Sequence, residues 1–313
     1  MMTKRWRARW YALLLLWLVP GWAHAACSAQ PAATVPLDVA GGTILVTVEV
    51  NGLPATFVLD TGAQRSVVTE AAAGRLKLAR DAWVGTTMRG LGGIERRPNA
   101  DPRSLSLGGV ELVRRTLNHD TSLTVGVLPR VHAGIQVIDG LLGRDFLSVF
   151  DLDLDVPGRR LTLYRVNGCS GNFLPWRFGY SVVPVTMPTE QAIVMPVVLD
   201  GVTLRALLDT GADSSLLAAP GLYRLGLPSA ALANDPAVPA SGLGPRPVMM
   251  HEHRFRTLVV AGQIIQHPVM WAAPVRLTPI VDMLLGADWV ASRRIWISFT
   301  TRQVFVSNDA KDG

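Results

Sequence analysis

ILVTVEVNGLPATFVLD, residues 44–60, and IVMPVVLDGVTLRALLD, residues 193–209, decide the fold of this chain. The two stretches align without a gap, so that Gly52 meets Gly201 and Asp60 meets Asp209. Each reads as two apolar strands joined by a tight turn, at Asn51-Gly52 in one and at Asp200-Gly201 in the other. Those residue pairs favour the positive φ angles of a two-residue hairpin loop. Each hairpin then runs straight into Asp-Thr-Gly-Ala, at residues 60–63 and 209–212.

The correspondence extends outward in both directions. A short helical stretch is expected after each motif, over 70–78 and 218–225. Glycine-rich turns follow, Gly90, Leu91, Gly92 and Gly93 in the first copy and Gly242, Leu243 and Gly244 before Pro245 in the second. Next comes a strand, turn and strand at 104–112 and 257–265. Then Leu141-Leu142-Gly143-Arg144-Asp145 pairs with Leu284-Leu285-Gly286-Ala287-Asp288, and alternating strands close each copy at 150–164 and 295–306. The openings agree as well, Val35-Pro36 against Val183-Pro184. Recurrence of these landmarks in one order implies two copies of one β-rich unit. The boundary falls in the Gly-, Ser- and Pro-containing stretch 167–180, giving units at 26–168 and 183–313 around a linker at 169–182.

Composition supports this division. At about 150 residues per domain, 313 residues are enough for two cores. With 49% hydrophobic and 17% charged residues the chain is neither disordered nor a coiled coil, and 29 Gly without period exclude collagen. Residues 1–25 read as an export signal: Lys4, Arg5, Arg7 and Arg9, an apolar run from Trp10 to Val19, a Pro20-Gly21 break, and Ala23-His24-Ala25 before a cleavage point. The run is half of the roughly 20 residues that a bilayer span requires, so no stable membrane span is expected after cleavage. Subtracting those four cations from 30 leaves 26 Lys and Arg against 24 Asp and Glu, which removes any electrostatic case for nucleic acid. Export to the periplasm or beyond places Cys27 and Cys169 in an oxidising compartment, where they can form one disulfide or stay as two thiols.

The repeated aspartate carries the chemistry. Asp60 and Asp209 each end an apolar strand, and a carboxylate delivered from a buried element is costly unless partnered. The natural partner of each is the other. Two facing carboxyls hold one proton between them, so that the ionised member deprotonates a water while the protonated one donates to a scissile carbonyl oxygen. This is the dyad of aspartic proteases. The apolar-apolar-Gly elements, Leu141, Leu142, Gly143 and Leu284, Leu285, Gly286, fit as support, since a glycine there permits close backbone approach to the aspartate strand.

On these motifs the chain resembles the retropepsin-like aspartic proteases, the Asp-Thr-Gly-Ala group, with two units fused in one chain as in the two-lobed pepsins. The resemblance covers nearly all of the sequence after the signal. It implies an all-β, bilobal fold of two pseudo-twofold-related β-barrel lobes with a cleft between them and a few short helices. It also implies a monomeric endopeptidase, free of metal and cofactor, that cuts an extended peptide or protein substrate in the cleft. By the same resemblance Thr61 and Thr210 brace the motif loops Gly62-Ala63 and Gly211-Ala212, and Gly90–Gly93 is a flap tip, with Gly242–Gly244 a second one. The nine residues between Ala25 and Val35 leave no room for a pepsin-style inhibitory prosegment.

Two departures stand out. Ala63 and Ala212 lack the hydroxyl that pepsins carry after the glycine, so fewer hydrogen bonds support the ionised dyad and activity is expected from mildly acidic to near-neutral pH. The retroviral pairing of an Asp after the motif with an Arg after the last Gly is split here, Asp213 going with Ala287 and Arg144 with Gln64. A silent peptide-binding protein on the same fold is the alternative reading, and a pair of units that dimerise between chains is a third. His251-Glu252-His253 is read as a solvated strand rather than a metal pair. The pairs Arg96-Arg97, Arg114-Arg115, Arg159-Arg160 and Arg293-Arg294 are read as solvated faces, Asp151, Asp153 and Asp155 as a half-buried strand, and the five tryptophans beyond the signal as packing residues.

Overall fold

A computed structural model describes residues 27–112, 122–128, 130–188, 192–240, 247–277 and 280–308. The signal at 1–25, the pair Arg114-Arg115 and the second glycine turn, Gly242, Leu243 and Gly244, lie outside the described residues.

Both deciding stretches form hairpins. Thr43–Val50 pairs with Leu53–Leu59, and Val194–Leu199 with Val202–Leu208, antiparallel and closed at Val50 opposite Leu53 and Leu199 opposite Val202. The turn residues have positive φ at both positions, 53° and 76° at Asn51 and Gly52, 50° and 86° at Asp200 and Gly201, as a turn matched to strand twist requires. Asn51 Oδ1 then accepts the Arg103 and Ser104 N–H groups, and Asp200 Oδ1 accepts those of Arg256 and Thr257. Each turn is thereby tied to the strand pair that the repeat places 50-odd residues on.

The fold is all-β and bilobal, each lobe a large sheet and the two lobes joined by a third. In the first lobe the order is Ala79–Gly90, Gly93–Asp101, Leu123–Gly126, Val67–Thr69, Gly140–Leu142, Leu53–Leu59, Thr43–Val50, Leu105–Leu107, Val110–Glu111. The second repeats it as Ala237–Ala240, Val248–Arg254, Val269–Ala272, Leu216–Leu217, Met283–Leu285, Val202–Leu208, Val194–Leu199, Thr257–Val260, Gln263–Gln266. The helix expected over 70–78 ends at Arg75, with Lys77 at φ 54°, and its counterpart spans Ala219–Leu225, stopped by Gly226 at φ 66°. Single helical turns at Arg144–Leu147 and Ala287–Val290 come just after the Leu-Leu-Gly elements.

The joining sheet runs Ser28–Pro36, Arg160–Asn167, Asp151–Asp155, Arg294–Ser298, Gln303–Ser307, Tyr180–Pro184. Its middle pair, Asp151–Asp155 against Arg294–Ser298, is antiparallel and contributed one strand by each lobe, the self-complementary contact that a twofold relation generates. Asp153, 2% exposed, sits at this seam with Arg294 Nε and Nη2 on its two oxygens at 2.8 and 2.6 Å. Arg294 also stacks on Trp176 at 5.0 Å. Arg294 is therefore a half-buried bidentate partner, and Arg293 is buried, donating to the Trp289 carbonyl; neither is a free cation on a solvated face. Asp151 is likewise buried, accepting from the Thr300 hydroxyl at 3.0 Å. Of the tryptophans, Trp176, Trp289 and Trp296 pack as expected, but Trp83 is 90% exposed and Trp271 lines the cleft.

Residues 169–182 are packed rather than loose. Phe173, Leu174, Trp176 and Phe178 close over Trp296 and Phe305, and the strand Tyr180–Pro184 begins inside this stretch. Cys169 bonds to Cys27 across 142 residues, beside the last rung of the outer ladder, Ser28 opposite Asn167. A bridge over so long a loop restricts the unfolded chain strongly. Replacing both cysteines by serine is expected to cost about 2–5 kcal/mol, read as a lower denaturant midpoint; a midpoint unchanged from the oxidised native protein would contradict it.

Candidate active site

Each aspartate is held at the end of its hairpin by the Leu-Leu-Gly strand. Gly140–Leu142 runs parallel to Leu53–Leu59, and Met283–Leu285 parallel to Val202–Leu208. The last rungs are hydrogen bonds from Asp60 N–H to the Leu142 carbonyl and from Asp209 N–H to the Leu285 carbonyl, both 3.0 Å. Gly143 and Gly286 face the motif backbone so closely that a Cβ would lie 3.0 Å from the Ala63 oxygen in one case and 2.6 Å from the Ser214 carbonyl carbon in the other. Close approach, rather than an unusual φ, is what these positions require.

A second layer of the support escapes a motif reading. Gly143 N–H donates to Ser66 Oγ and Gly286 N–H to Ser215 Oγ, at 2.8 and 3.0 Å. Each serine in turn donates its N–H and its hydroxyl to the aspartate of the Leu-Leu-Gly-x-Asp element, Asp145 or Asp288, at 2.7–2.9 Å. The signal for it lay in the repeat, because Ser66 and Ser215 keep the same spacing as the motif aspartates.

The loops interlock across the twofold. Thr61 N–H donates to Thr210 Oγ1 and Thr210 N–H to Thr61 Oγ1, at 3.0 and 3.1 Å. The hydroxyls then donate to carbonyls of the opposite strand, Thr61 to Leu208 at 2.8 Å and Thr210 to Leu59 at 2.5 Å. Both threonines are buried, and every donor in this set has a partner. The interlock sets the aspartates face to face. A Cβ on Gly62 would stand 2.2 Å from the Asp209 carboxyl carbon, and one on Gly211 would stand 2.2 Å from that of Asp60.

The two carboxyls hydrogen-bond each other. Asp60 Oδ1 also accepts the Gly62 and Ala63 N–H groups at 2.9 and 2.7 Å, and Asp209 Oδ1 accepts those of Gly211 and Ala212, both at 3.1 Å. Burial is the largest influence on both and raises both pKa values; at Asp209 the charge of Asp60 adds to it and the carboxyl is pushed up to about 8. At Asp60 the neighbouring Arg144 guanidinium works the other way. The missing hydroxyls at Ala63 and Ala212 are thus a lesser matter than the burial itself. A family model described as aspartyl protease matches residues 46–146 and 195–289, the two repeats in turn. The chain belongs to the aspartyl protease family. It is of the retropepsin-like kind, with two fused lobes. A comparison with curated proteins returned no match.

As an aspartyl protease the molecule has a cleft of about 800 Å³ between its lobes, with Asp60 and Asp209 on the floor. Val58, Leu128, Ile138 and Leu141 form the wall on the first side; Leu207, Met250, Trp271 and Leu284 form it on the second. The first glycine turn sits over this space. Gly90 pairs with Gly93, leaving Leu91 and Gly92 as the two-residue tip, and Leu91 packs among the apolar residues of the second lobe. On the opposite side Ala240 and Met250, which flank the undescribed second turn, also reach the cleft.

Asp213 in this aspartyl protease finds its cation across the lobes rather than after Gly286. Arg130 Nη2 stands 2.6 Å from Asp213 Oδ2, and the Thr43 hydroxyl donates to Oδ1 at 2.9 Å. Neither Arg130 nor Thr43 is marked by any motif. The strand carrying His251, Glu252 and His253 has no buried residue; His253 is partly exposed, with its Nδ1 2.6 Å from Asp235, and among the described residues no three His, Cys, Asp or Glu side chains gather as a metal would need. No helix among the described residues is long and apolar enough to cross a membrane.

Proposed function

We propose that the chain is an aspartic endopeptidase in which Asp60 and Asp209 share one proton and activate one water. The observation that carries the reading is the mutual contact of the motifs, each glycine backbone lying against the other lobe's carboxyl. In the forward step the ionised carboxyl takes a proton from water, whose oxygen bonds to the scissile carbonyl carbon. The protonated carboxyl gives its proton to the carbonyl oxygen, leaving a neutral gem-diol. Return of protons from the diol to the dyad and from the dyad to the amide nitrogen then breaks the C–N bond, releasing acid and amine. Substrate lies extended between the lobes beneath the Leu91 tip. Because both carboxyls come from one chain, a monomer completes the site.

We further infer that residues 1–25 direct export to the periplasm or the exterior. The Cys27–Cys169 bond is at home in such a compartment, and the first of the described strands starts at Ser28.

The pH profile tests the chemistry. Only the singly protonated dyad works, so activity falls as acid adds the second proton and as base removes the first. Both carboxyls are raised above 3.8, and the proton on Asp209 is held up to about 8. Cleavage of a denatured protein is therefore expected from mildly acidic to neutral pH and is lost above about pH 8; an optimum below about pH 3 would contradict it. Saturable peptide binding without cleavage anywhere between pH 3 and 8 would instead favour a binding protein on the same fold.

A further inference from the structure

The two halves of the dyad are unequal in one respect that the repeat does not share. Arg144, buried at the first lobe's Leu-Leu-Gly element, donates Nη1 to the Thr61 carbonyl at 2.8 Å and to the Gly62 carbonyl at 2.6 Å. The corresponding residue of the second lobe is Ala287, which carries no charge. The motif amides follow the same bias, being closer to Asp60 (2.9 and 2.7 Å) than to Asp209 (3.1 Å each).

A cation and short N–H donors beside one of two carboxyls favour the anion on that one. We propose that Arg144 is a positioning residue that breaks the near-twofold symmetry of the site, keeping the charge on Asp60 and the shared proton on Asp209. This rests on the dyad reading given above. Other charged side chains near the floor are already matched: Arg65 lies on Asp145 at 3.8 Å and on the Ser122 carbonyl at 3.2 Å, and Arg130 lies on Asp213. The influence of Arg144 on Asp60, lowering its proton affinity against burial, agrees in sign.

The consequence is directional. A symmetric dyad could accept an extended peptide with either chain polarity. With Asp60 assigned to take the proton of water and Asp209 to donate to the carbonyl oxygen, the two sides of the scissile bond are presented to different groups, and one polarity fits.

The test is the pH dependence of kcat/KM on a single peptide for the native protein, Arg144→Lys and Arg144→Met, with Asp60→Asn alongside. Removing the charge in Arg144→Met is expected to move the acid limb up by about one pH unit, hence about tenfold lower kcat/KM on that limb, with a smaller change at the plateau. Arg144→Lys, which keeps a cation, should restore most of the limb. A uniform loss at every pH with the limb in place would mean that Arg144 is only structural and would overturn the inference. Should Arg144→Met fail to fold, neutron diffraction of the native protein near pH 6 decides the matter: a deuteron on Asp209 supports it and one on Asp60 refutes it. If Asp60→Asn cleaves, the dyad reading itself has failed; if it is inert while the limb stays put, only the role of Arg144 has.

Discussion

Asp60→Asn and Asp209→Asn, made separately, are each expected to lower kcat/KM by about 10⁴-fold, the scale on which one member of a catalytic unit is felt. On the proposed mechanism neither lobe can compensate, since each supplies one carboxyl to a single water. The same variants should move stability in the opposite direction at high pH. Asp209 is raised in the folded state to about 8 from the ordinary carboxyl value of 3.8. A group raised on folding contributes stability that is complete below its unfolded pKa and is lost as pH rises through the folded one. The native protein therefore carries the cost of a second buried charge at pH 9, and Asp209→Asn does not. Thermal unfolding at pH 5 and pH 9 should show the variant gaining more Tm relative to native at the higher pH than at the lower. Retention of most activity by either variant would rule out the two-carboxyl mechanism, and a pH-independent Tm difference would rule out the burial argument.

Gly62→Ala and Gly211→Ala are the second pair of large effects. Neither glycine is in the left-handed region, so alanine meets no backbone penalty there. The obstacle is space alone, because the new methyl would stand 2.2 Å from the carboxyl carbon of the other lobe's aspartate, well inside van der Waals contact. The loops must part, and the threonine interlock goes with them. Activity is expected to fall at least about 100-fold, as a displacement near 1 Å in a reacting group implies. Overpacking should also cost about 1–3 kcal/mol of stability. The decisive comparison is Gly52→Ala: that turn requires positive φ but has open space, so it should lose stability while kcat/KM stays near native. Equal loss of kcat/KM in all three variants would show that backbone conformation, not room for the dyad, is what the motif glycines provide.

What could be read from the sequence was whatever the repeat wrote twice. The hairpins, the paired aspartates and the Leu-Leu-Gly elements each appear in both copies, and the lobes carry them in the same sheet order. Features made between the copies were less legible. Asp153 and Arg294 looked like a half-buried strand residue and a solvated cation because strand periodicity describes one strand at a time. Their meeting depends on a strand pair 141 residues apart in sequence. The same holds for Arg130, Thr43 and Asp213. The Gly, Ser and Pro content of residues 169–182 marks a connection between the lobes but does not show that Phe173, Trp176 and Phe178 in that stretch supply much of an aromatic cluster. The helical turns at Arg144–Leu147 and Ala287–Val290 are too short to show a 3.6-residue period.

Under the export proposed above, the bond between Cys27 and Cys169 also bears on the order of events. A chain that crosses a membrane from its N-terminus presents Cys169 outside while the residues of the second lobe are still to arrive. An oxidant can then close the first lobe into a covalent ring, its edge strand Ser28–Pro36 fastened to the end of the neighbouring strand Arg160–Asn167, before any second aspartate is available. On the proposed two-carboxyl mechanism the first half is thus secured while it is still chemically inert, and proteolytic competence arrives only with the last part of the chain to emerge.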